Sequence, residues 1–179
     1  TDRFKMAEKE NGKTDWDFVH ASENIIKDKP NLPMIELAKS YKEIMNDITT
    51  FVFDVDGVLT DGSVNISPTG EMLRKMNIRD GYAMKAAIES GYNVCIISGG
   101  SNEGVRIRLK NLGITDIHLG SPDKVETFKE YCELYSISPE NVLYMGDDIP
   151  DFHVMKLVGL PTCPQDAAPE IKSISNYIS

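Results

Sequence analysis

The chain has 179 residues, of which 41% are hydrophobic and 26% charged, and its formal net charge is −9. This length suits one domain with a sizeable core plus an appendage. The negative charge argues against nonspecific binding to nucleic acid or anionic membranes, and no apolar run approaches the roughly 20 residues that span a bilayer. We expect neither a membrane-spanning segment nor a signal peptide.

The three cysteines fit neither a zinc-binding spacing nor a disulfide framework. They are Cys95, Cys132 and Cys163. We expect them to pack in the core of a protein that works in the reducing cytoplasm.

The first part of the chain differs from the rest. Residues 1–33 are polar and mixed in charge, which predicts a weakly ordered extension. Residues 34–47 are predicted to form an amphipathic helix that packs on the main domain. Its apolar residues recur at helical spacing: Met34, Leu37, Ala38, Tyr41 and Met45.

From residue 48 onwards strands and helices alternate. Buried strands are predicted at "TTFVFDV", "YNVCIISG", "TDIHLG", "NVLYMGD" and near "LPTC". Helices are predicted at "GYAMKAAIES", 101–112, 122–137 and 151–158, and a β-hairpin at 63–78 around a Pro-Thr-Gly turn. The alternation predicts an α/β fold with a doubly wound, mainly parallel, Rossmann-like sheet and a protruding hairpin.

Ligands of such sheets bind beyond the carboxyl ends of the strands. Polar, charged or glycine residues follow the predicted strands in turn: Asp54 and Asp56, then Ser98-Gly99-Gly100, then Gly120 shortly before Lys124, then Gly146-Asp147-Asp148. The two acids that flank Val55 therefore belong to a larger cluster.

The chemistry of this cluster points to phosphate. Asp54, Asp56 and Asp147 offer oxygen ligands for a hard cation such as Mg²⁺, which would relieve their mutual repulsion. Lys124 adds a permanent charge, and Ser98 with nearby backbone N–H groups can hold phosphate oxygens. This set suits phosphoryl transfer, in which a carboxylate can be the nucleophile and form an aspartyl-phosphate.

Two further acids have other interpretations. Asp61 with Gly62 is predicted to form only a turn. Asp151 either caps the helix that follows it or supports the metal site from behind.

These motifs resemble the haloacid dehalogenase superfamily of phosphatases across residues 48–179. The matching segments are "DVDGVLT" at 54–60, Ser98 after a hydrophobic strand, Lys124 at the start of a helix and "GDDIPD" at 146–151. The resemblance implies that Asp54 is the nucleophile and Asp56 the general acid, then base.

The resemblance also implies how the phosphoryl group and metal are held. Ser98 and Lys124 would bind the transferring phosphoryl group, and Lys124 would also restrain Asp54. Mg²⁺ would be held by Asp54, the backbone carbonyl of Asp56 and Asp147, with Asp148 behind them.

The short stretch between Asp54 and Ser98 leaves no room for a large cap domain. The hairpin, "NIRDGYAMK" at 77–85 and Arg108 look like the capless 3-deoxy-D-manno-octulosonate 8-phosphate (Kdo 8-phosphate) phosphatases, enzymes of lipopolysaccharide precursor synthesis. The resemblance implies a substrate site formed by Asp56, Asn77, Ile78, Arg79, Asp80, Gly81, Lys85, Ser98, Gly99, Gly100, Arg108 and Lys124.

Two features depart from that family. Gly100 stands where many members have an arginine, and the family's glycine-rich C-terminal tail has no counterpart before Ser179.

The leading hypothesis is an Mg²⁺-dependent phosphatase for an acidic sugar phosphate, with Kdo 8-phosphate as the expected substrate. The 9-phosphate of deaminated sialic acid (Kdn) is the alternative substrate. A non-catalytic assembly domain is a second alternative, but it would need none of the acids or Lys124. A phospho-signalling receiver domain would carry its phosphorylated acid after the third strand, whereas here the acids follow the first.

The hairpin also predicts assembly. Val64 and Ile66 alternate on its first strand, and Met72, Met76 and Ile78 are placed on one face of its second. We expect this apolar face to pair with other subunits in a homotetramer whose hairpins roof neighbouring sites, as the resemblance also implies. The alternative is a hairpin folded onto its own domain.

Overall fold

The structure, a computed structural model, describes residues 39–179. The extension predicted at 1–33 and the first residues of the helix predicted at 34–47 lie outside the described residues.

The first described helix, α1, spans Tyr41–Met45. Ser40 caps it in a reciprocal arrangement: the Glu43 N–H donates to the Ser40 hydroxyl, and the Ser40 N–H donates to the Glu43 carboxylate at 2.8 Å. As the capping residue, Ser40 takes an extended backbone conformation. Neither Lys39 nor Ser40 is helical, although both lie within the helix predicted at 34–47.

The main sheet has six strands, all parallel, in the order β5-β4-β1-β6-β7-β8. The strands are β1 (Thr50–Phe53), β4 (Asn93–Ser98), β5 (Asp116–Leu119), β6 (Val142–Met145), β7 (Leu160–Cys163) and β8 (Tyr177–Ile178). A separate antiparallel hairpin consists of β2 (Asn65–Ile66) and β3 (Met72–Leu73). The predicted α/β fold with a mainly parallel sheet and a hairpin is confirmed, and no cap domain lies within the described residues.

Helices cover both faces of the sheet. They are α2 (Ile78–Glu89), α3 (Glu103–Asn111), α4 (Lys124–Tyr135), α5 (Phe152–Met155) and α6 (Pro169–Ile174). Strand β4 shows why its sequence is continuously apolar: Cys95 and Ile97 pack with α4, α5 and α6, whereas Val94 and Ile96 pack with α2 and α3.

The hairpin is shorter than predicted, because a helix begins where its second strand was expected to continue. The Arg79 N–H donates to the Asn77 side chain at 2.9 Å, which caps α2 and makes Ile78 its first residue. The placement of Ile78 on the second hairpin strand is therefore wrong, and α2 begins three residues before the predicted Gly81.

None of the helices within residues 39–179 is both long and apolar enough to cross a membrane.

Helix α1 packs on the sheet through Tyr41 and Ile44, which contact a small core of Ile48, Leu143 and Leu160. We expect Ile44→Asp to lower the free energy of unfolding by about 1–3 kcal/mol, because it places a charge in this contact. Lys42→Asp on the exposed side is the matched control and should change it by less than about 0.5 kcal/mol. Urea unfolding measures the free energy of unfolding of both variants. If Ile44→Asp changes it as little as Lys42→Asp does, α1 does not stabilise the domain.

Candidate active site

The carboxyl ends of three neighbouring strands meet at one edge of the sheet. Strand β1 lies between β4 and β6, so Asp54, Ser98 and Asp147 lie at the carboxyl ends of adjacent strands. The Asp54 N–H donates to the Met145 carbonyl at 3.0 Å, which extends the pairing of β1 with β6 up to the site. The predicted convergence of these residues is present in the fold.

Lys124 lies between two buried carboxylates. Its Nζ is 2.9 Å from Asp54 Oδ2 and donates to Asp151 Oδ1 at 2.7 Å. The Tyr144 hydroxyl donates to the same Asp151 oxygen at 2.8 Å. The contact between Lys124 and Asp54 is the one that the superfamily resemblance implied.

Burial opposes the charged form of both Lys124 and Asp54. Burial alone would lower the pKa of Lys124, but the charges of Asp54 and Asp151 outweigh it and leave that pKa raised. Burial, followed by the charge of Asp151, raises the pKa of Asp54, although Lys124 opposes the shift. One lysine does not compensate the carboxylates around it.

Asp147 is the third carboxylate of the group, and oxygens of Asp54, Asp147 and Asp151 lie within 4.8 Å of one another. Its Oδ1 is buried without a hydrogen-bond partner among the described residues. Burial, followed by the charges of Asp54 and Asp151, raises the pKa of Asp147 to about 7. Clustered carboxylate oxygens with one left unpaired fit a hard divalent cation such as Mg²⁺.

Gly57 makes room for Asp147. A Cβ at position 57 would lie 1.8 Å from Asp147 Oδ2, and the positive φ of +85° also favours glycine. The second glycine of the group is Gly146, where a Cβ would lie 2.5 Å from the Asp151 side chain.

Asp148 and Asp151 follow the metal-site motif, and only Asp151 is found in one of its predicted roles. Asp148 is exposed and its side chain accepts from the Ile149 N–H at 2.8 Å, so the structure does not bring its carboxylate into the group. Asp151 makes no side-chain capping bond to the helix that follows, so the capping interpretation is wrong. Asp151 instead takes the supporting position, and Tyr144 is a site residue that sequence reasoning missed.

Ser98 and Gly100 line a small cavity together with Asp56. Ser98 is buried, and its hydroxyl accepts from the Gly100 N–H at 3.2 Å. A Cβ at Gly100 would lie 3.1 Å from Asp56 Oδ2, whereas one at Gly99 would meet only the Ser121 carbonyl at 4.0 Å. A Cβ at position 100 would therefore crowd Asp56 slightly, whereas position 99 has room for one.

Asp56 itself is held by a residue that the sequence analysis did not single out. Arg74, which follows β3 of the hairpin, donates through Nε to Asp56 Oδ1 at 2.8 Å and through Nη2 to Oδ2 at 3.0 Å. The only signal in the sequence was a basic residue on a hairpin otherwise noted for its apolar residues.

A groove of about 350 Å³ adjoins this site between the hairpin and α3. Arg74 and Arg108 line it, together with Asn102. Arg108 also lies against Gly81, where a Cβ would be 2.6 Å from its Nη2, so two of the residues implied for substrate binding are brought together.

Five residues implied for substrate binding line neither this groove nor the cavity beside Asp56, Ser98 and Gly100. They are Asn77, Ile78, Arg79, Asp80 and Lys85. Asn77 caps α2, Ile78 is 79% exposed, and Lys85 lies 3.8 Å from Glu89 on the helix surface.

The turn predicted at Asp61 is present, since the Ser63 N–H donates to the Asp61 side chain at 3.0 Å.

Comparisons with known proteins agree with this arrangement. A family of haloacid dehalogenase-like hydrolases matches residues 111–179. The 3-deoxy-D-manno-octulosonate 8-phosphate phosphatase of Escherichia coli K12 is 39% identical over 133 residues, which are 74% of this chain and 71% of that protein.

Solved structures are similar as well. The crystal structure of the phosphatase of that name from Yersinia pestis matches with a TM-score of 0.74 and 35% identity, over 76% of this chain and 74% of that one. The Moraxella catarrhalis phosphatase, solved with a magnesium ion, a phosphate ion and a Kdo molecule, matches with a TM-score of 0.74 and 29% identity, over 78% and 79%.

The raised pKa of Asp147 predicts that Mg²⁺ binding depends on pH. Between pH 3.8, the ordinary pKa of an aspartate, and about pH 7, the folded, metal-free protein holds a proton on Asp147 that the unfolded chain does not hold. Binding of this proton stabilises the folded protein, and the stabilisation is lost as the pH rises through about 7. Mg²⁺ competes with that proton. The Mg²⁺-induced rise in melting temperature should therefore be larger at about pH 8 than at about pH 6.

Thermal melts with and without Mg²⁺ at both pH values measure this. Asp147→Asn is the matched variant, because it removes the titrating group and should remove the difference. The same Mg²⁺-induced shift at both pH values in the unmodified protein would contradict the assignment of Asp147.

Proposed function

The chain belongs to the 3-deoxy-D-manno-octulosonate 8-phosphate phosphatase family of haloacid dehalogenase-like hydrolases, and we propose on this basis that Asp54 accepts the phosphoryl group of Kdo 8-phosphate. The enzyme is an Mg²⁺-dependent phosphatase of phosphoric monoesters. The observation that carries the proposed role of Asp54 is its contact with Lys124, 2.9 Å away, at the end of the strand that also leads to Asp56.

Asp54 is the nucleophile of the first half of the reaction. Its Oδ1 accepts from the Val55 N–H at 2.7 Å and its Oδ2 lies against Lys124, so both oxygens have fixed directions. An oriented carboxylate can attack phosphorus in line with the leaving oxygen, and such positioning provides much of the catalysis in phosphoryl transfer.

Asp56 is the general acid and then the general base of the reaction. It gives one to the sugar oxygen that leaves phosphorus and later takes one from the water that hydrolyses the aspartyl-phosphate. Its side chain is 35% exposed and lies outside the network around Lys124, which suits a group that exchanges protons with substrate and water.

Asp54 and Asp147 are the side chains placed to hold Mg²⁺, with Asp151 behind them, and the predicted ligation by the carbonyl of Asp56 is part of this proposal. When bound, the ion supplies positive charge that offsets the carboxylates and the phosphate oxygens. Asp148 is not needed as a direct ligand in this arrangement.

Kdo 8-phosphate carries a carboxylate besides its phosphate. The groove beside Asp56 suits a second anionic group, because Arg108 lines it and has no carboxylate within salt-bridge distance among residues 39–179. Parallel turnover assays with Kdo 8-phosphate and Kdn 9-phosphate would distinguish the two sugars.

The buried, free cysteines Cys95, Cys132 and Cys163 support a cytoplasmic setting.

We also propose the homotetramer. The hairpin exposes apolar side chains that the rest of residues 39–179 does not cover, with Ile66 70% and Leu73 54% exposed. Met76, in contrast, packs against the core of its own domain and does not belong to this surface. Pairing of hairpins would cover Ile66 and Leu73 and would bring residues 77–85 of one chain near other chains.

Asp54→Asn should abolish turnover of Kdo 8-phosphate, because the amide keeps the shape of the side chain but is not a nucleophile. Turnover assays with Mg²⁺ measure the loss, and thermal melts check that the fold is kept. Asp61→Asn, in the exposed turn of the same loop, is the control and should retain full activity. Substantial residual turnover in Asp54→Asn would contradict the covalent mechanism.

Ile66→Glu should dissociate the tetramer and reduce turnover of the sugar phosphate, because it places a charge in the proposed interface. Light scattering measures the mass at the assay concentration. Lys75→Glu, an exposed change on the same hairpin segment that removes no apolar surface, is the comparison. A wild-type protein that is monomeric at full activity would contradict the proposal.

A further inference from the structure

We infer that Arg74 is a positioning residue for Asp56, and that it holds this carboxylate for the second half of the reaction, when water hydrolyses the aspartyl-phosphate. The inference rests on the proposed role of Asp56 as general base. It assigns to the hairpin a direct part in the chemistry of its own chain.

The contact between the two side chains is bidentate. Nε and Nη2 of Arg74 donate to separate oxygens of Asp56, at 2.8 and 3.0 Å. Two parallel hydrogen bonds fix both the direction and the rotation of a carboxylate, which a lysine cannot do. A guanidinium is only a donor, so both Asp56 oxygens are acceptors here, as a base that takes a proton from water must be.

Arg74 is itself held firmly. Its side chain is only 8% exposed, and its Nη1 donates to the Met72 carbonyl at 3.0 Å. The Asn102 side chain donates to the same carbonyl at 2.9 Å, while its other end caps α3 by accepting from the Val105 N–H. The guanidinium is thus anchored to the main domain through β3 as well as through Asp56.

No other residue does this for Asp56. Among the described residues, its carboxylate has no hydrogen-bond partner besides Arg74, in contrast to Asp54 with Lys124 and Val55. Without Arg74 the side chain would be free to rotate, and a misplaced base loses rate even when its chemistry is unchanged.

Gly100 leaves room beside the pair. A Cβ there would lie 3.1 Å from Asp56 Oδ2 and 3.4 Å from Arg74 Nη2, so a larger residue would crowd both side chains.

The step that Arg74 supports is hydrolysis of the intermediate. The water oxygen forms a bond to phosphorus while the bond between phosphorus and the Asp54 oxygen breaks, and its electron pair returns to Asp54 as a carboxylate. Asp56 takes the proton that the water loses, and inorganic phosphate is released. Formation of the intermediate from an aryl phosphate needs no proton from Asp56, because a phenolate with an electron-withdrawing group leaves unaided.

The test is stopped-flow turnover of p-nitrophenyl phosphate with Mg²⁺. Arg74→Gln should slow hydrolysis of the aspartyl-phosphate by about 10- to 100-fold and leave its formation nearly unchanged. The variant should then release a burst of one p-nitrophenolate per site before a slow steady state. Lys75→Gln, the neighbouring exposed basic residue, is the matched control and should turn over without such a change.

Asp56→Asn separates this inference from the proposed function. It should give the same burst, and adding Arg74→Gln to it should slow hydrolysis no further. If Asp56→Asn shows no burst, the base role of Asp56 is wrong. If Asp56→Asn shows the burst and Arg74→Gln does not, or if their effects multiply in the double variant, Arg74 does not position Asp56.

Arg74→Lys guards against a merely structural effect. It keeps the charge but not the paired donors, so it should recover part of the hydrolysis rate. Light scattering and thermal melts check that the variants keep the mass and fold of the wild type. The contrary result is a burst in Arg74→Lys as large as that in Arg74→Gln, together with a lowered melting temperature. It would mean that Arg74 acts only through the hairpin's stability.

Discussion

The structure depends on one electrostatic constraint: three carboxylates converge at the end of a buried parallel sheet, and a single lysine lies among them. Like charges this close are costly to bury without compensation. Lys124 offsets part of that cost from the first turn of α4, where a cation is normally unfavourable because of the helix dipole. A residue that violates a local preference in this way indicates a functional site, and the remaining charge is the reason that the site requires a metal ion.

The neighbouring residues follow from the same constraint. Gly57 and Gly146 allow Asp147 and Asp151 to approach the backbone more closely than any Cβ would permit. Tyr144 supplies a neutral donor to Asp151 from inside a strand, so that this carboxylate keeps its hydrogen bonds while fully buried. The sheet thus forms one half of the site, whereas Arg74 comes from the hairpin and the groove lies between the hairpin and α3.

The sequence was sufficient for the alternation of strands and helices and for the polar residues at the strand ends. Strand β4 is continuously apolar because both of its faces are buried, and Asp54, Ser98 and Asp147 could be placed together because parallel strands end at one edge. Short elements without a clear period, such as α6 and β8, carried no such signal. The start of α2 was missed because a single capping bond from Asn77 decides it.

The pairs that join distant parts of the chain could not be predicted. Nothing near Arg74 in the sequence indicates that it reaches Asp56, and Asp151 was open to two interpretations until its contact with Lys124 was known. Both depend on the three-dimensional course of a loop, which residue spacing alone does not determine. Residues 77–85 raise the same difficulty at the level of assembly, because their predicted role in substrate binding would depend on the proposed tetramer.

The central claim is that phosphate passes through Asp54, and the most direct measurement is to trap it there. Wild-type enzyme mixed with radiolabelled Kdo 8-phosphate and Mg²⁺ would be quenched in acid within one turnover, digested and mapped by mass spectrometry. We expect label on the peptide that contains Asp54, and none when Mg²⁺ is chelated. Label on a different residue, or full release of phosphate without any labelled protein at any quench time, would contradict it.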